Sequence, residues 1–332
     1  MRAVGVGPRA YPGRPQGAAQ SFSLDCSHAH HDTTSHSFYG DYLLYDEEDH
    51  GQPFVITQGF SKKHRPDLKQ LVQSLLCVDS GIPIYSKVVD GNQSDKTINQ
   101  NLIPEMVKRM SEVGAGDFIY VNDSALVTEK SPCIIDEWDL RFVTLMPQTY
   151  NECKNAISRA VQANDWKEVG NISDQPTTRN RKPASYKAFE TTVTLHGKQY
   201  RVIVVHSDAH DKRRQKKVDK QIKEDLNETL KLKQALEKID YASLPDAQAA
   251  IERVGSGSLH KLNATIQQRP QYGSGRPKKD GTRSLKKMRY GLSIEMEVDE
   301  EAIRKLRDEA GCFVLITNVP REGAGAHNAK EL

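Results

Sequence analysis

The order of local patterns along the chain predicts an α/β fold. Two observations carry the prediction. Short apolar, β-branched runs interleave with helix-period segments, and the first half reads as three strands, a helix and then further strands. After Thr149 the character changes to charged helices, a hairpin and a basic Gly/Pro-rich stretch, which predicts an inserted α+β region. The 332 residues, 37% hydrophobic and 27% charged, suffice for one large domain or two ordinary ones.

Residues 1–20, MRAVGVGPRAYPGRPQGAAQ, are rich in Arg, Gly and Pro. They lack the apolar run of a secretory signal and read as disordered. SFSLDCSHAHHDTTSHSFYGDYLLY reads as strand, turn, strand. EEDHGQPFVITQGFSKKHRPDLK is a polar connection with a basic tip. QLVQSLLCVD and IPIYSKVVD form a hairpin about Ser80-Gly81. A helix begins near Ser94, carries Ile98, Leu102, Met106 and Met110 at helical spacing, and stops at Gly114; Pro104 argues against its first part. DFIYVNDSA and RFVTLMP are short strands, and NECKNAISRAVQ is a helix. SYKAFETTVTLHGKQYRVIVVHS is a hairpin about His196-Gly197. DKRRQKKVDKQIKEDLNETLKLKQALEKID and ASLPDAQAAIERV are helices, QQRPQYGSGRPKKDGTRSLKKMRY is a basic linker, and the last apolar stretch reads strand, helix, strand.

Formal net charge is only +3, so any preference for a polyanion must come from local clustering. Two clusters stand out. Residues 211–233 hold nine Lys or Arg against five Asp or Glu, a pattern equally suited to a solvated helix laced with i,i+4 pairs. Residues 271–290 hold seven against one, which favours nucleic acid; Arg276, Lys278, Lys279, Arg283, Lys286 and Lys287 are the candidate contacts. The five cysteines are scattered without a CxxC pair, arguing against a zinc ribbon or a disulfide framework and for a reducing cytoplasm. No apolar run approaches the ~20 residues that cross a bilayer.

Candidate chemistry centres on two aspartates. Asp32 lies in a strand-like run, and Asp123 ends the FIYVN strand, where sites form in α/β sheets. Carboxylates on neighbouring strands offer hard oxygens to Mg²⁺ or Mn²⁺. From spacing alone, both read more readily as ordinary turn or capping residues. Strand alternation puts His28, His30, Asp32 and Thr34 on one face and His31, Thr33 and Ser35 on the other. A zinc site from His28, His30 and Asp32 is geometrically conceivable, but no HExxH-type partner accompanies it, and the histidines read better as polar neighbours. DGNQSD lacks the distal glutamate of an EF-hand, and phosphate-binding Gly-rich motifs are absent.

The blocks HDTTSHSFYGDY, ITQGFSKKHRPDLKQLV, GIPIYSKVVDGNQSDKT, YVNDSALVT, FVTLMPQT and GCFVLITN, in that order across about residues 25–318, resemble those of bacterial insertion-sequence DDE transposases. The resemblance is to the subgroup whose core is split by a long insertion. It implies a ribonuclease-H-like mixed sheet interrupted by an insertion domain. The core would occupy residues 21–149 and 285–320, with the insertion at 150–284 and a frayed end at 321–332. It also implies that Asp32 and Asp123 are the first two metal-binding carboxylates, holding two Mg²⁺ or Mn²⁺ ions in an intact site. The implied reaction is hydrolysis at transposon ends followed by attack of the freed 3′-hydroxyl on target DNA, by a homodimer on paired ends. One block is missing. The family's third carboxylate is a glutamate in a Y-x-x-[RQ]-x-x-[VI]-E helix after the FVLITN strand, and here VPREGAGAHNAKEL follows instead. Few residues precede Asp32, where members carry a DNA-binding region. The expectation is a truncated, catalytically impaired copy, with a non-catalytic DNA-binding remnant or transposition inhibitor as the alternative.

Overall fold

The computed structural model describes residues 23–40, 54–61, 65–79, 81–172, 183–254, 259–274, 281 and 283–332. The chain is mixed α/β, and it divides into one unit of residues 1–205 with 313–332 and a second of residues 206–312. The boundaries therefore fall at 206 and 312, where the sequence reading puts them at 150 and 285. The cause is that the strands after Thr149 extend the first sheet.

The first unit is built on a nine-stranded sheet. Its strands are β1 (His28–Phe38), β2 (Lys69–Val78), β3 (Ile82–Val89), β4 (Ile119–Asn122), β5 (Arg141–Leu145), β6 (Lys167–Gly170), β7 (Tyr186–Leu195), β8 (Lys198–Ser207) and β11 (Cys312–Thr317). Their order is β3-β2-β1-β4-β5-β11-β8-β7-β6. β1 is antiparallel to β2 and β2 to β3, whereas β1, β4 and β5 run parallel. The β2–β3 hairpin turns through Asp79 and Gly81, with φ of +32° and +93°. The β7–β8 hairpin turns at His196-Gly197, where φ of +49° and +79° matches the paired positive φ that a two-residue turn needs.

Helix α1 (Asp95–Glu112) crosses between β3 and β4. Ser94 caps it, accepting from the Thr97 N–H, and Gly114 follows its end at φ +84°. Pro104 sits inside the helix without ending it. The apolar face of Ile98, Leu102, Ile103, Met106 and Met110 is buried, and that packing outweighs the lost backbone bond. Helices α2 (Ser131–Glu137) and α3 (Asn151–Ala163) complete the described helices of this unit.

The second unit holds α4 (Asp208–Glu237), α5 (Leu244–Glu252), α6 (Glu300–Ala310) and an antiparallel ribbon of β9 (His260–Tyr272) and β10 (Leu285–Val298). One ribbon face, Leu262, Leu292 and Ile294, packs with Leu236, Tyr241, Ile251 and Val254. α4 carries the expected i,i+4 pairs Lys220–Glu224 and Lys233–Glu237. A buried pair, His260 Nδ1 to Asp225 Oδ2 at 2.7 Å, ties the ribbon to α4.

Four expectations need correction. The predicted linker 267–290 is for the most part strand, because Gln267–Tyr272 and Leu285–Tyr290 pair across the ribbon. β10 does not return to the core sheet; only β11 does, beside β5 and β8. Where strand, turn, strand is expected over residues 21–45, HAHHDTTSHSF forms one continuous strand; residues 41–45, like residues 1–20 and Ser80, lie outside the described residues. Residues 321–332, with the Val319 that leads into them, are not frayed. Val319 is fully buried, Leu332 packs with Val121 and Leu315, and Arg201 donates to the carbonyl of His327 at 2.7 Å. No described helix is long and apolar enough to cross a membrane.

Candidate functional site

Asp32 sits in the middle of β1, and Asp123 is the first residue after β4. The two strands pair in parallel as His28 with Ile119, Ala29 with Tyr120 and His30 with Val121. Two steps further along that register stand Asp32 and Asp123, on neighbouring strands about 4.8 Å apart. Alternation gives them one face, and both are exposed. Each has an oxygen engaged locally. Asp32 Oδ1 accepts from the Thr33 N–H at 2.7 Å, and Asp123 Oδ1 accepts from Ala125 at 2.9 Å, capping the 3-10 turn Ser124–Leu126. The capping reading of Asp123 is thus realised, and it does not exclude a second use of the carboxylate.

His28 and His30 share this face, as alternation requires. His28 lies edge-on to His327 with centroids 6.0 Å apart, and its Nε2 is buried without a partner among the described residues. Burial and the neighbouring His28 lower the His30 pKa. Even so, no three His, Cys, Asp or Glu among the described residues form a group that could hold a metal ion. Asp32 and Asp123 offer two carboxylates of the right hardness on one face, and no third joins them. Glu331, the last acidic residue, instead accepts from the Asn328 N–H at 2.8 Å.

The opposite face of these two strands holds what the sequence did not reveal. His31, expected as a polar neighbour on the face opposite Asp32, is 4% exposed and hydrogen-bonded on both ring nitrogens. Its Nε2 meets Ser74 Oγ at 2.6 Å, and its Nδ1 meets Tyr120 Oη at 2.7 Å and Asn122 Nδ2 at 3.0 Å. Asn122 Nδ2 also reaches Tyr120 Oη at 2.6 Å and Asn99 Oδ1 of α1 at 3.1 Å, while its Oδ1 accepts from the Asp123 N–H. Thr33 Oγ1 donates to Asp95 Oδ1 at 2.7 Å. The network spans β1, β2, β4 and α1. Its members His31, Thr33 and Asn122 are chain neighbours of Asp32 and Asp123, so it fixes the backbone from which both carboxylates project. Thr144 on β5 adds to this by donating to the carbonyls of Asn122 and Asp123. Burial pushes the His31 pKa down to about 4, against a smaller opposing pull from Asp32, and burial raises that of Tyr120. The available signal was the alternation that sends His31 inward with Tyr120 and Asn122.

Of the candidate nucleic-acid contacts, Arg283, Lys286 and Lys287 stand at the far end of the ribbon and are exposed. Arg276, Lys278 and Lys279 lie outside the described residues. The distal ribbon also exposes Gln267, Gln268, Gln271 and Tyr272, on strands clear of the apolar cluster. No protein-family model matches the chain, and a search of curated proteins finds no match.

Proposed function

We propose that the chain carries the carboxylate-bearing core of a bacterial insertion-sequence DDE transposase, with a ribonuclease-H-like sheet, and that its partner is DNA. One observation carries the reading. The order β3-β2-β1-β4-β5, with β1, β4 and β5 parallel, brings Asp32 and Asp123 side by side on one face. That is the arrangement the sequence resemblance implies for the first two metal ligands. Asp32 and Asp123 would hold Mg²⁺ or Mn²⁺ through their outward oxygens. Two such ions in a complete site polarise the scissile phosphate and lower the pKa of the attacking hydroxyl. The chain's own contribution is positional: the His31–Tyr120–Asn122 network holds both carboxylates at a set spacing, and the basic ribbon attracts the phosphate backbone. Two copies would act on paired ends.

Among the described residues no third carboxylate joins Asp32 and Asp123, so the reading is of DNA and metal binding without strand cleavage or joining by these residues alone. The missing third ligand equally favours the second reading, a non-catalytic DNA-binding remnant or inhibitor of transposition. Titration with Mn²⁺, followed by the ion's electron paramagnetic resonance, tests the site. The expected result is weak binding that Asp32→Asn and Asp123→Asn each weaken further, with no product from labelled duplex in Mg²⁺ or Mn²⁺. Metal binding indifferent to both substitutions would overturn the site. Robust strand-transfer product would overturn the impaired state.

A further inference from the structure

We propose that Arg289, on the outward face of the β9–β10 ribbon, binds a phosphate of a DNA backbone. The two faces of the ribbon differ in character. Alternation puts Leu262, Leu292 and Ile294 on the face that packs with α4 and α5. The intervening residues form the other face, where Thr265, Gln267 and Gln271 of β9 and Lys287 and Ser293 of β10 are exposed. From Lys261 to Gln271 and from Lys287 to Glu297, that face carries no apolar side chain.

Two arginines stand directly opposite each other on it, Arg269 on β9 and Arg289 on β10. Like charges so placed repel. Arg269 is neutralised within the protein. Its guanidinium crosses the ribbon over Gly291, where a Cβ would sit 2.2 Å from the guanidinium carbon. It donates to Asp240 Oδ1 and to the Glu237 carbonyl at the end of α4, each at 2.9 Å. Arg289 has no counterpart to Asp240 among the described residues, and its Nε is buried there without a hydrogen-bond partner. Its strand is nonetheless fixed on both edges. Beside it, Tyr290 exchanges two backbone hydrogen bonds with Tyr241, at 2.7 and 3.1 Å, while β9 pairs along the other edge. A held, partly desolvated and unpaired guanidinium is unfavourable in the free chain. A phosphate laid on the face supplies the missing acceptors to its planar fork.

Charge and polarity select the partner. Residues 267–272 and 283–290 hold five Lys or Arg and no Asp or Glu. Arg269 is taken up by Asp240, and the other four cations remain to attract an anion. Lys287 shares the face with Arg289, about 7 Å away along the strand. Cations repeated along an extended strand match a linear polyanion. The amides of Gln267 and Gln271 hydrogen-bond phosphate oxygens equally well. An acidic protein fits less well, because protein interfaces centre on apolar anchors and this face has none. The inference rests on the nucleic-acid reading above and names a residue that holds the backbone.

The test is fluorescence anisotropy of the full chain with two labelled duplexes of unrelated sequence, across a range of salt. Arg289→Gln should weaken binding to both by about tenfold and reduce the salt slope by about one. Arg289→Lys should keep the slope and lose part of the affinity, since it keeps the charge without the fork. Hydrogen exchange of residues 260–272 separates binding from folding. Arg269→Gln should speed that exchange several-fold, whereas Arg289→Gln should leave it unchanged or slower. Wild-type affinity in Arg289→Gln would overturn the site while leaving DNA binding intact. So would exchange in Arg289→Gln as fast as in Arg269→Gln, which would make the residue structural. Polyglutamate displacing the duplexes at equal charge concentration would overturn the choice of partner. Failure of wild type to bind either duplex would overturn both readings.

Discussion

Acidification should destabilise the first unit through His31, in an amount the geometry sets. The neutral ring suits its partners: Nε2–H donates to Ser74 Oγ, while Nδ1 accepts from Tyr120 Oη and Asn122 Nδ2. A proton on Nδ1 would face the Asn122 amide hydrogens and remove the acceptor that Tyr120 uses. The folded pKa is accordingly lowered from 6.5 to about 4, so the folded state takes up the proton later than the unfolded chain. Stability is complete above pH 6.5 and falls as pH drops toward 4. At about 1.4 kcal/mol per pKa unit, the full loss is about 3 kcal/mol, of which about 2.5 kcal/mol has gone by pH 4.5. Both tryptophans, Trp138 and Trp166, belong to the first unit, so urea unfolding followed by their emission reports on it. The comparison is wild type against His31→Gln in EDTA-containing buffer. At pH 7.5 the variant should be less stable, since it leaves network atoms unpaired, and the gap should narrow by about 2–3 kcal/mol at pH 4.5. A gap that stays constant with pH would refute the assignment of His31 as the buried, neutral member.

Three further outcomes follow from particular contacts. Tyr120→Phe removes a fully buried hydroxyl with two partners and should cost about 1–3 kcal/mol in the same unfolding assay, with metal affinity at the carboxylates falling as their backbone loosens. Arg201→Gln breaks the nearly buried pair with Glu190 and the bond to the His327 carbonyl, so trypsin should cut at Arg321 several times faster than in wild type. Lys286→Ala with Lys287→Ala should weaken duplex binding across sequences and reduce the salt slope by about two, as two lost phosphate contacts require.

Much of the first unit was legible because its signals are local. The β2–β3 and β7–β8 hairpins show in their turn residues, and α1 in Ser94, Gly114 and the spacing of Ile98 to Met110. Alternation along HAHHDTTSHSF separates His28, His30 and Asp32 from His31, Thr33 and Ser35, and the structure shows the second set to be the buried one. Three kinds of information were not local. The ribbon was read as a linker because its far half, QQRPQY and LKKMRY, is polar on both faces and lacks the alternation that marks a half-buried strand. The extension of the sheet by β6, β7, β8 and β11 depends on strand order, which periodicity does not encode. The end at 321–332 looks frayed in sequence because its order comes from Arg201, more than a hundred residues away.

The two faces of β1 and β4 divide the work of the candidate site. Inward, His31, Tyr120, Asn122 and Asn99 bond to one another with almost no exposure, and a buried network of this kind is rigid because each member, if displaced, strands another without a partner. Outward, Asp32 and Asp123 are held to those strands by a single intervening Cα each. Spacing of the carboxylates is therefore set by groups that never touch a ligand. The same outward face is covered further along by Val319 and Leu332 against Ile119 and Val121. That apolar segment, tethered through Arg201 to the His327 carbonyl, closes this part of the sheet against water. On the proposed reading, this pair of carboxylates set by a buried network is what the Mn²⁺ titration of Asp32→Asn and Asp123→Asn probes.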